Sequence, residues 1–212
     1  MEQLILDTSY QWFTSQGIQA FTMDDIASRL GMSKKTLYRY FASRQELVEL
    51  VAKRLADNYE AAMDAVDQQP VDSLHKLLGY ISAVLKYCKK INPAFLSDLR
   101  RSYPLQYVEL HKSMEHTVGT RIVKVLETGI QEGLFRGNLH PQLVIAIWQQ
   151  HVATDFEFAS QLTNDYSKDE VFRQAMYLFL YGVTAPAAIP ALEEAISHFN
   201  PNDTEQPQSV LQ

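Results

Sequence analysis

Hydrophobic residues recur along most of the chain at spacings of three and four, the period of an amphipathic α-helix. The segment from Leu74 to Cys88 keeps this spacing without a miss. Comparable stripes predict helices over residues 4–16, 143–162 and 171–183, among others. No segment shows the alternation of polar and apolar residues that is typical of a half-buried strand. The pattern therefore predicts an all-α protein of about nine or ten helices.

The N-terminal part of the chain has clear start and stop signals for short helices. Thr22, with Asp25 three residues later, forms a variant of the capping box at the start of a helix that Gly31 ends. Ser33 is a suitable N-cap for a second short helix over residues 34–40. Two short helices joined by a tight turn predict a helix-turn-helix unit.

A long amphipathic helix follows this unit. It is predicted to run from about Ser43 to Asp67, and Pro70 ends it. A continuous helix of this length would connect the helix-turn-helix unit with the middle of the chain.

The last two predicted helices are unusually apolar. Residues 176–183 are apolar on every side, and such a helix must be covered all round. A second copy of the chain is the economical explanation, while a central helix in the core of a monomer is the alternative. The dimer interpretation selects six candidate contact residues: Trp148, Val152, Phe156, Met176, Phe179 and Leu180.

Composition excludes several classes of protein. The single cysteine among 212 residues excludes a disulfide framework and a cysteine-based zinc site within one chain. No run of about 20 apolar residues is present, so we expect no membrane span and no membrane partner. The first eleven residues carry two acids and no base, unlike a signal peptide, which predicts a cytoplasmic protein.

The charge is unevenly distributed. The chain carries a net charge of −6, yet residues 26–45 contain five basic residues and no acidic one. This basic island is either a solvated helix face or a surface that contacts phosphates. The exposed face of the second short helix supports the phosphate interpretation, because its cations and hydroxyl groups suit phosphates and its Arg suits guanine. This face carries Ser33, Lys34, Lys35, Thr36, Tyr38 and Arg39.

The segment 17–47 resembles the DNA-binding domain of the TetR family of bacterial transcriptional repressors. It matches the family's Gly-x-x-x-Phe-Thr, Ile-Ala, Gly-Met-Ser, Thr-Leu-Tyr-x-Tyr-Phe and Ser-Arg-x-Glu-Leu runs in register. The resemblance implies a homodimer whose last two helices pair into a four-helix bundle. It also implies that the middle helices enclose a pocket for a small-molecule inducer.

Carried over position by position, the resemblance assigns the six residues of the second helix and three others to the DNA contact: Thr22, Tyr40 and Arg44. Thr22 and Arg44 would hold phosphates at two helix N-termini. Position 44 is more often Lys in the family, and Arg keeps the charge. Two of these assignments stay open, since Thr22 could serve only as a cap and Tyr40 could belong to the core.

The implied organisation has an N-terminal three-helix helix-turn-helix domain over residues 1–46. A larger helical domain for effector binding and dimerisation follows over 47–200, with a disordered tail over 201–212. Six aromatic, His and Met residues of the middle helices are candidates to line a pocket for an apolar or aromatic effector: Tyr80, Tyr87, Phe95, Tyr103, His111 and Met114. Residues of these types more often belong to the core. The histidines lack the spacing of a metal site, so we expect neither a metal nor a cofactor.

Three classes of function are compatible with the sequence. The leading hypothesis is a dimeric repressor that binds a pseudo-palindromic DNA operator and is released by a small molecule. The second keeps the DNA-binding dimer but places it under the control of a protein partner. An enzyme is disfavoured, because the sequence has no nucleophile elbow, phosphate loop or metal-ligand spacing.

Overall fold

The computed structural model describes residues 1–149 and 168–197, and within these ranges the chain is built from helices and loops. The all-α prediction is confirmed. The helices are α1 Glu2–Gln16, α2 Met23–Arg29, α3 Lys34–Tyr40, α4 Arg44–Asp67, α5 Ser73–Lys90, α6 Pro93–Ser102, α7 Pro104–Gln131, α8 (helical residues 141–149), α9 Lys168–Val183 and α10 Ile189–Ser197. A single 3-10 turn, Pro186–Ala188, precedes α10.

The predicted helices are recovered with small shifts at their ends. The helix predicted to start at residue 143 begins at 141, and the one predicted to start at 171 begins at Lys168. The sequence analysis missed α10, in which Leu192 and Ala195 are buried at a spacing of three. The predicted tail over 201–212 and the second half of the predicted 143–162 helix lie outside the described residues.

The predicted caps of the short helices are present. The Thr22 side chain accepts a hydrogen bond from the Asp25 amide at 3.1 Å, and the Asp25 carboxylate accepts one from the Thr22 amide at 2.8 Å. Ser33 Oγ accepts from the Thr36 amide at 3.1 Å. Gly31 closes the turn between α2 and α3 with a φ of 66°, a conformation that side chains with a Cβ rarely adopt.

The described residues group into two compact units, and the first contains Met1–Ala65 and Ala83–His116. Its helix-turn-helix part has a continuous apolar core that fixes α2 and α3 against α1 and α4. Trp12 stacks on Phe21 with ring centroids 5.4 Å apart. Six side chains of this core are almost completely buried: Ile5, Phe13, Phe21, Ile26, Leu37 and Phe41.

The second unit contains Val66–Ser82 and the described residues from Thr117 onward. Asp67 at the end of α4 accepts hydrogen bonds from the Tyr80 hydroxyl and, at 2.8 Å, from Arg121 Nε. Partial burial raises the pKa of Asp67, but these two hydrogen bonds outweigh it and hold the pKa below its ordinary value. The carboxylate therefore stays charged and joins α4, α5 and α7 at one point.

Close packing of α7 against the following loop organises another part of the second unit. The ring of Phe135 lies over Gly129, where a Cβ would come within 2.2 Å of Phe135 Cδ2. The loop is then joined to the end of α9 by backbone hydrogen bonds, including Arg136 N to Val183 O at 2.9 Å. Among the described residues, no helix is long and apolar enough to cross a membrane.

Candidate nucleic-acid interface

The α3 helix presents one apolar side to the core and the rest of its surface to solvent. Leu37 is fully buried, and Thr36 is half-buried. Tyr40 is 40% exposed, which favours the contact interpretation over the core interpretation. The remaining predicted contact residues of this helix are exposed: Ser33, Lys34, Lys35, Tyr38 and Arg39. Seven residues of helix span about 10 Å, which fits the roughly 12 Å width of the major groove.

The five basic residues of the basic island differ in whether they have a partner within the protein. Arg29 is stacked over the rings of Trp12 and Phe21, at 5.3 and 4.9 Å from their centroids. This cation–π contact belongs to the packing of α2 against α1. Within the described residues, by contrast, the side chains of Lys35 and Arg39 have no partner. The structure therefore leaves these two cations of α3 available to DNA.

Lys34 forms an ion pair across the turn. Its Nζ lies 2.9 Å from Oδ1 of Asp24, and both side chains are exposed. The hydrogen bond and the negative charge of Asp24 raise the pKa of Lys34 above its ordinary value. Because Asp24 competes with phosphate for the same ammonium group, it weakens any contact that Lys34 makes with DNA.

Thr22 and Arg44 are both engaged inside the protein. The Thr22 hydroxyl and amide bind Asp25, and these hydrogen bonds lower the pKa of the Asp25 carboxyl. Arg44 Nη2 donates to the Ile18 carbonyl at 2.6 Å, and Nε donates to the Tyr103 hydroxyl at 3.1 Å. Phosphate contacts by Thr22 and Arg44 stay predictions. For Arg44, such a contact would use the guanidinium N–H groups that do not bind Ile18 or Tyr103.

The α6 helix is attached to the end of α1 and to the loop between α1 and α2, contacts that the sequence analysis did not foresee. Asn92 Nδ2 donates to the Ser15 carbonyl at 2.9 Å. In the second half of α6, Asp98 accepts a hydrogen bond from the Gln19 backbone amide at 2.8 Å, and Ser102, the last residue of the helix, accepts one from the Gln19 side chain at 3.1 Å. Hydrogen bonds between residues so far apart in the chain carry no periodic signal, which is why the pattern did not reveal them.

Gly17 makes the close approach of α6 possible. Its φ is 95°, and a Cβ there would lie 3.0 Å from Ala94 Cβ and 3.0 Å from Asp98 Oδ2. Any other residue would be strained at this φ and would push α6 away.

Three of the predicted effector residues belong to the packed core. Tyr80 and Phe95 are almost completely buried. The Tyr87 hydroxyl donates to the Leu55 carbonyl, and its ring packs edge-on against Tyr59 with centroids 5.0 Å apart. These contacts favour the core interpretation for Tyr80, Tyr87 and Phe95.

The other three effector candidates differ in their surroundings. Tyr103 binds Arg44, and Met114 is half-buried. His111 is exposed and lies 3.3 Å from the carboxylate of Glu115. An effector role for each of the three stays a prediction.

The predicted dimerisation residues are partly covered by their own chain. Trp148 packs against Phe179 with ring centroids 4.4 Å apart, and Met176 and Leu180 are buried. Val152 and Phe156 lie outside the described residues. Other apolar side chains of α8 and α9 are exposed instead: Leu143, Ile147 and, at 77%, Leu178. On α9 only the structure distinguishes the outward residues from the inward ones, because residues 176–183 are apolar on every side.

Comparisons with known proteins agree with this architecture. Residues 5–51 match the model of the bacterial regulatory proteins of the tetR family. The chain is 23% identical to the HTH-type transcriptional regulator YvaF of Bacillus subtilis, over 87% of this chain and 96% of that one. It is 27% identical to the HTH-type transcriptional repressor KstR2 of Mycobacterium tuberculosis, over 66% and 72% of the two chains.

A solved transcriptional regulator from Cytophaga hutchinsonii has the same fold, with a TM-score of 0.71 and 21% identity over 86% of this chain and 98% of that one. The family model covers the segment that contains the capped α2, the Gly31 turn and the exposed face of α3. The chain therefore carries at its N-terminus the helix-turn-helix domain of the bacterial regulatory proteins of the tetR family, followed by a larger helical domain, and over most of its length it resembles transcriptional regulators of that family.

Proposed function

We propose that the protein is a dimeric transcriptional repressor that binds a pseudo-palindromic DNA operator through α3 and releases it when a small molecule binds. The observation that carries the proposal is the exposed face of α3, where Lys35 and Arg39 have no partner among the described residues. Arg39 suits a guanine edge, and the exposed rings of Tyr38 and Tyr40 suit thymine methyl groups.

Dimerisation is supported by the exposed apolar residues of the second unit. Leu143 and Ile147 lie one turn apart on α8, and Leu178 projects from α9. A second copy related by a two-fold axis would cover these side chains. Such pairing would set two α3 helices about 34–36 Å apart, the spacing of successive major grooves.

Release of DNA requires a path from a ligand to α3. The α6 helix is one such element, because it is hydrogen-bonded to Gln19 in the loop before α2 and its N-cap Asn92 is hydrogen-bonded to Ser15 in the last turn of α1. The rigid α4 helix, which begins at Arg44, is another. A ligand with a hundredfold preference for the form that does not bind DNA supplies about 2.7 kcal/mol per site. Linkage requires that operator DNA weakens ligand binding by the same factor.

A reporter experiment tests the proposal. Genomic DNA retained by the protein is placed before a reporter gene in a host that lacks the regulator. Repression by the wild type and loss of repression by Arg39→Ala would support a repressor that acts through α3. Higher reporter expression with the wild type would identify an activator and contradict the proposal.

Fractionation of a lysate distinguishes a small-molecule effector from the alternative, control by a protein partner. The dialysable fraction should release the protein from its DNA if the effector is a small molecule. Release by the retained, protease-sensitive fraction alone would favour a protein partner.

A further inference from the structure

The chain between α1 and α2 runs along α6 from the N-terminal to the C-terminal end of that helix. Asn92, the N-cap of α6, donates a hydrogen bond to the Ser15 carbonyl at 2.9 Å. Farther along the helix, Asp98 and Ser102 both accept hydrogen bonds from Gln19. The N-cap of α2 follows Gln19 by three residues. The last turn of α6 therefore lies next to the segment that leads into α2.

A second contact places the same end of α6 beside the start of α4. The hydroxyl of Tyr103, the C-cap of α6, accepts a hydrogen bond at 3.1 Å from Nε of Arg44, the first residue of α4. The starts of α2 and α4, at Thr22 and Arg44, are the two helix N-termini that are predicted to hold phosphates. The last turn of α6 thus neighbours both of them within the first unit.

Arg101 lies in this last turn, on the side of α6 that faces the loop. It follows Asp98 by three residues and Ala94 by seven, spacings at which helical side chains share a face. That face contacts the loop, because a Cβ at Gly17 would lie 3.0 Å from both Ala94 Cβ and Asp98 Oδ2. Arg101 is exposed, and within the described residues its side chain forms no hydrogen bond or ion pair.

The charge around Arg101 suits an anion. Residues 99–108 contain two arginines and no acidic residue, although the whole chain carries a net charge of −6. Asp98, the acid nearest to Arg101 in the sequence, binds the Gln19 amide. A cation in the last turn of a helix is favourable for the helix dipole whatever it faces. A guanidinium without a partner, beside two predicted phosphate sites, is in addition complementary to the backbone of DNA.

We propose that Arg101 contacts a phosphate of DNA and so extends the interface beyond the helix-turn-helix unit to α6. The inference rests on the proposed function, in which α3 lies in the major groove. A guanidinium binds phosphate oxygens through paired N–H groups and does not read the base sequence. A ligand that shifts α6 would then withdraw a DNA contact directly, in addition to moving the loop before α2.

Fluorescence anisotropy of the full chain tests the contact, with a labelled duplex of random sequence as the probe. Arg101→Gln should lower the affinity by about threefold, as for an exposed charge pair. It should also make the dependence of affinity on salt shallower by about one phosphate contact. Arg101→Lys keeps the charge and should keep the wild-type salt dependence. A genomic fragment retained by the wild type should show the same loss, because the contact is independent of sequence.

Lys112→Gln is the matched control. Lys112 is also exposed and without a partner among the described residues. It lies about 12 Å along α7 from Pro104, which exceeds the Debye length of about 8 Å at physiological salt. Its replacement should therefore leave the salt dependence unchanged. An unchanged salt dependence in Arg101→Gln, an equal change in Lys112→Gln, or a loss that Arg101→Lys does not restore would each overturn the proposal.

The phosphate contact and the proposed function fail in different ways. The proposed function fails if the wild type retains no DNA or if Arg39→Ala binds its fragments as the wild type does. The contact of Arg101 alone fails if Arg39→Ala loses affinity as proposed while Arg101→Gln matches the wild type on both DNA probes.

Discussion

Arg44 at the start of α4 donates through Nε to the hydroxyl of Tyr103 at the end of α6, with 3.1 Å between the two atoms. The same guanidinium binds the Ile18 carbonyl at 2.6 Å. One side chain thus joins the first turn of α4, the C-cap of α6 and the loop between α1 and α2. A charged donor in a half-buried position contributes more than an exposed one, because water competes less for its partners.

Replacing Tyr103 by Phe should loosen this junction without removing the ring. We expect the free energy of unfolding to fall by about 0.5–1.5 kcal/mol, as for a typical lost hydrogen bond, and DNA affinity to fall with it. Urea denaturation and fluorescence anisotropy measure the two effects. Tyr107→Phe is the control, since its hydroxyl has no partner among the described residues. Identical behaviour of both variants would show that the Arg44–Tyr103 hydrogen bond does not matter.

Replacing Asp24 by Asn should strengthen DNA binding. The change frees Lys34 from its ion pair and removes a negative charge beside α3. We expect affinity for operator and for random DNA to rise together by about threefold, with a steeper dependence on salt. Glu60→Gln makes the same change of charge on α4 and serves as the control. A loss of affinity in Asp24→Asn would mean that the ion pair orients Lys34 for DNA instead of competing with it.

Replacing Gly129 by Ala should destabilise the second unit. The new Cβ would lie 2.2 Å from Phe135 Cδ2, and the buried ring would have to move. Overpacking of this kind costs about 1–3 kcal/mol, measured as the free energy of unfolding. Gly137→Ala should be close to neutral, because no heavy atom lies within 4 Å of its Cβ position. A Gly129→Ala protein as stable as Gly137→Ala would contradict the packing described for Phe135.

Replacing Leu178 by Glu should separate the dimer without unfolding the chain. Leu178 is 77% exposed, so a carboxylate there meets solvent in the monomer but would be buried without a partner in the dimer. A charge at Phe179 or Leu180 would be a poorer test, because both are buried within their own chain. Sedimentation should show a folded monomer with weakened operator binding. A dimer of unchanged stability would place the interface elsewhere.

The sequence predicted the local features of the DNA-binding region well, because each depends on residues close together in the chain. The Thr22–Asp25 capping box, the Gly31 turn and the Ser33 N-cap follow from spacing alone. The stacking of Arg29 on Trp12 and the attachment of α6 to Gln19 depend on contacts between residues that are distant in the chain, which a periodic pattern does not reveal. For the same reason the pattern does not distinguish aromatic residues that pack in the core from those that line a pocket, and the burial of Tyr87 favours the first interpretation.

The most direct test of sequence-specific DNA binding by α3 is to sequence the genomic fragments that the protein retains. The wild type should enrich fragments that share a pseudo-palindrome with half-sites about one helical turn apart, roughly 34–36 Å. Arg39→Ala should lose about 1–3 kcal/mol on these fragments and relax the preference at one position of each half-site, whereas Lys35→Ala should weaken all DNA alike. Retention of the same unrelated fragments by the wild type and by Arg39→Ala would contradict the assignment of α3 as the helix that recognises DNA.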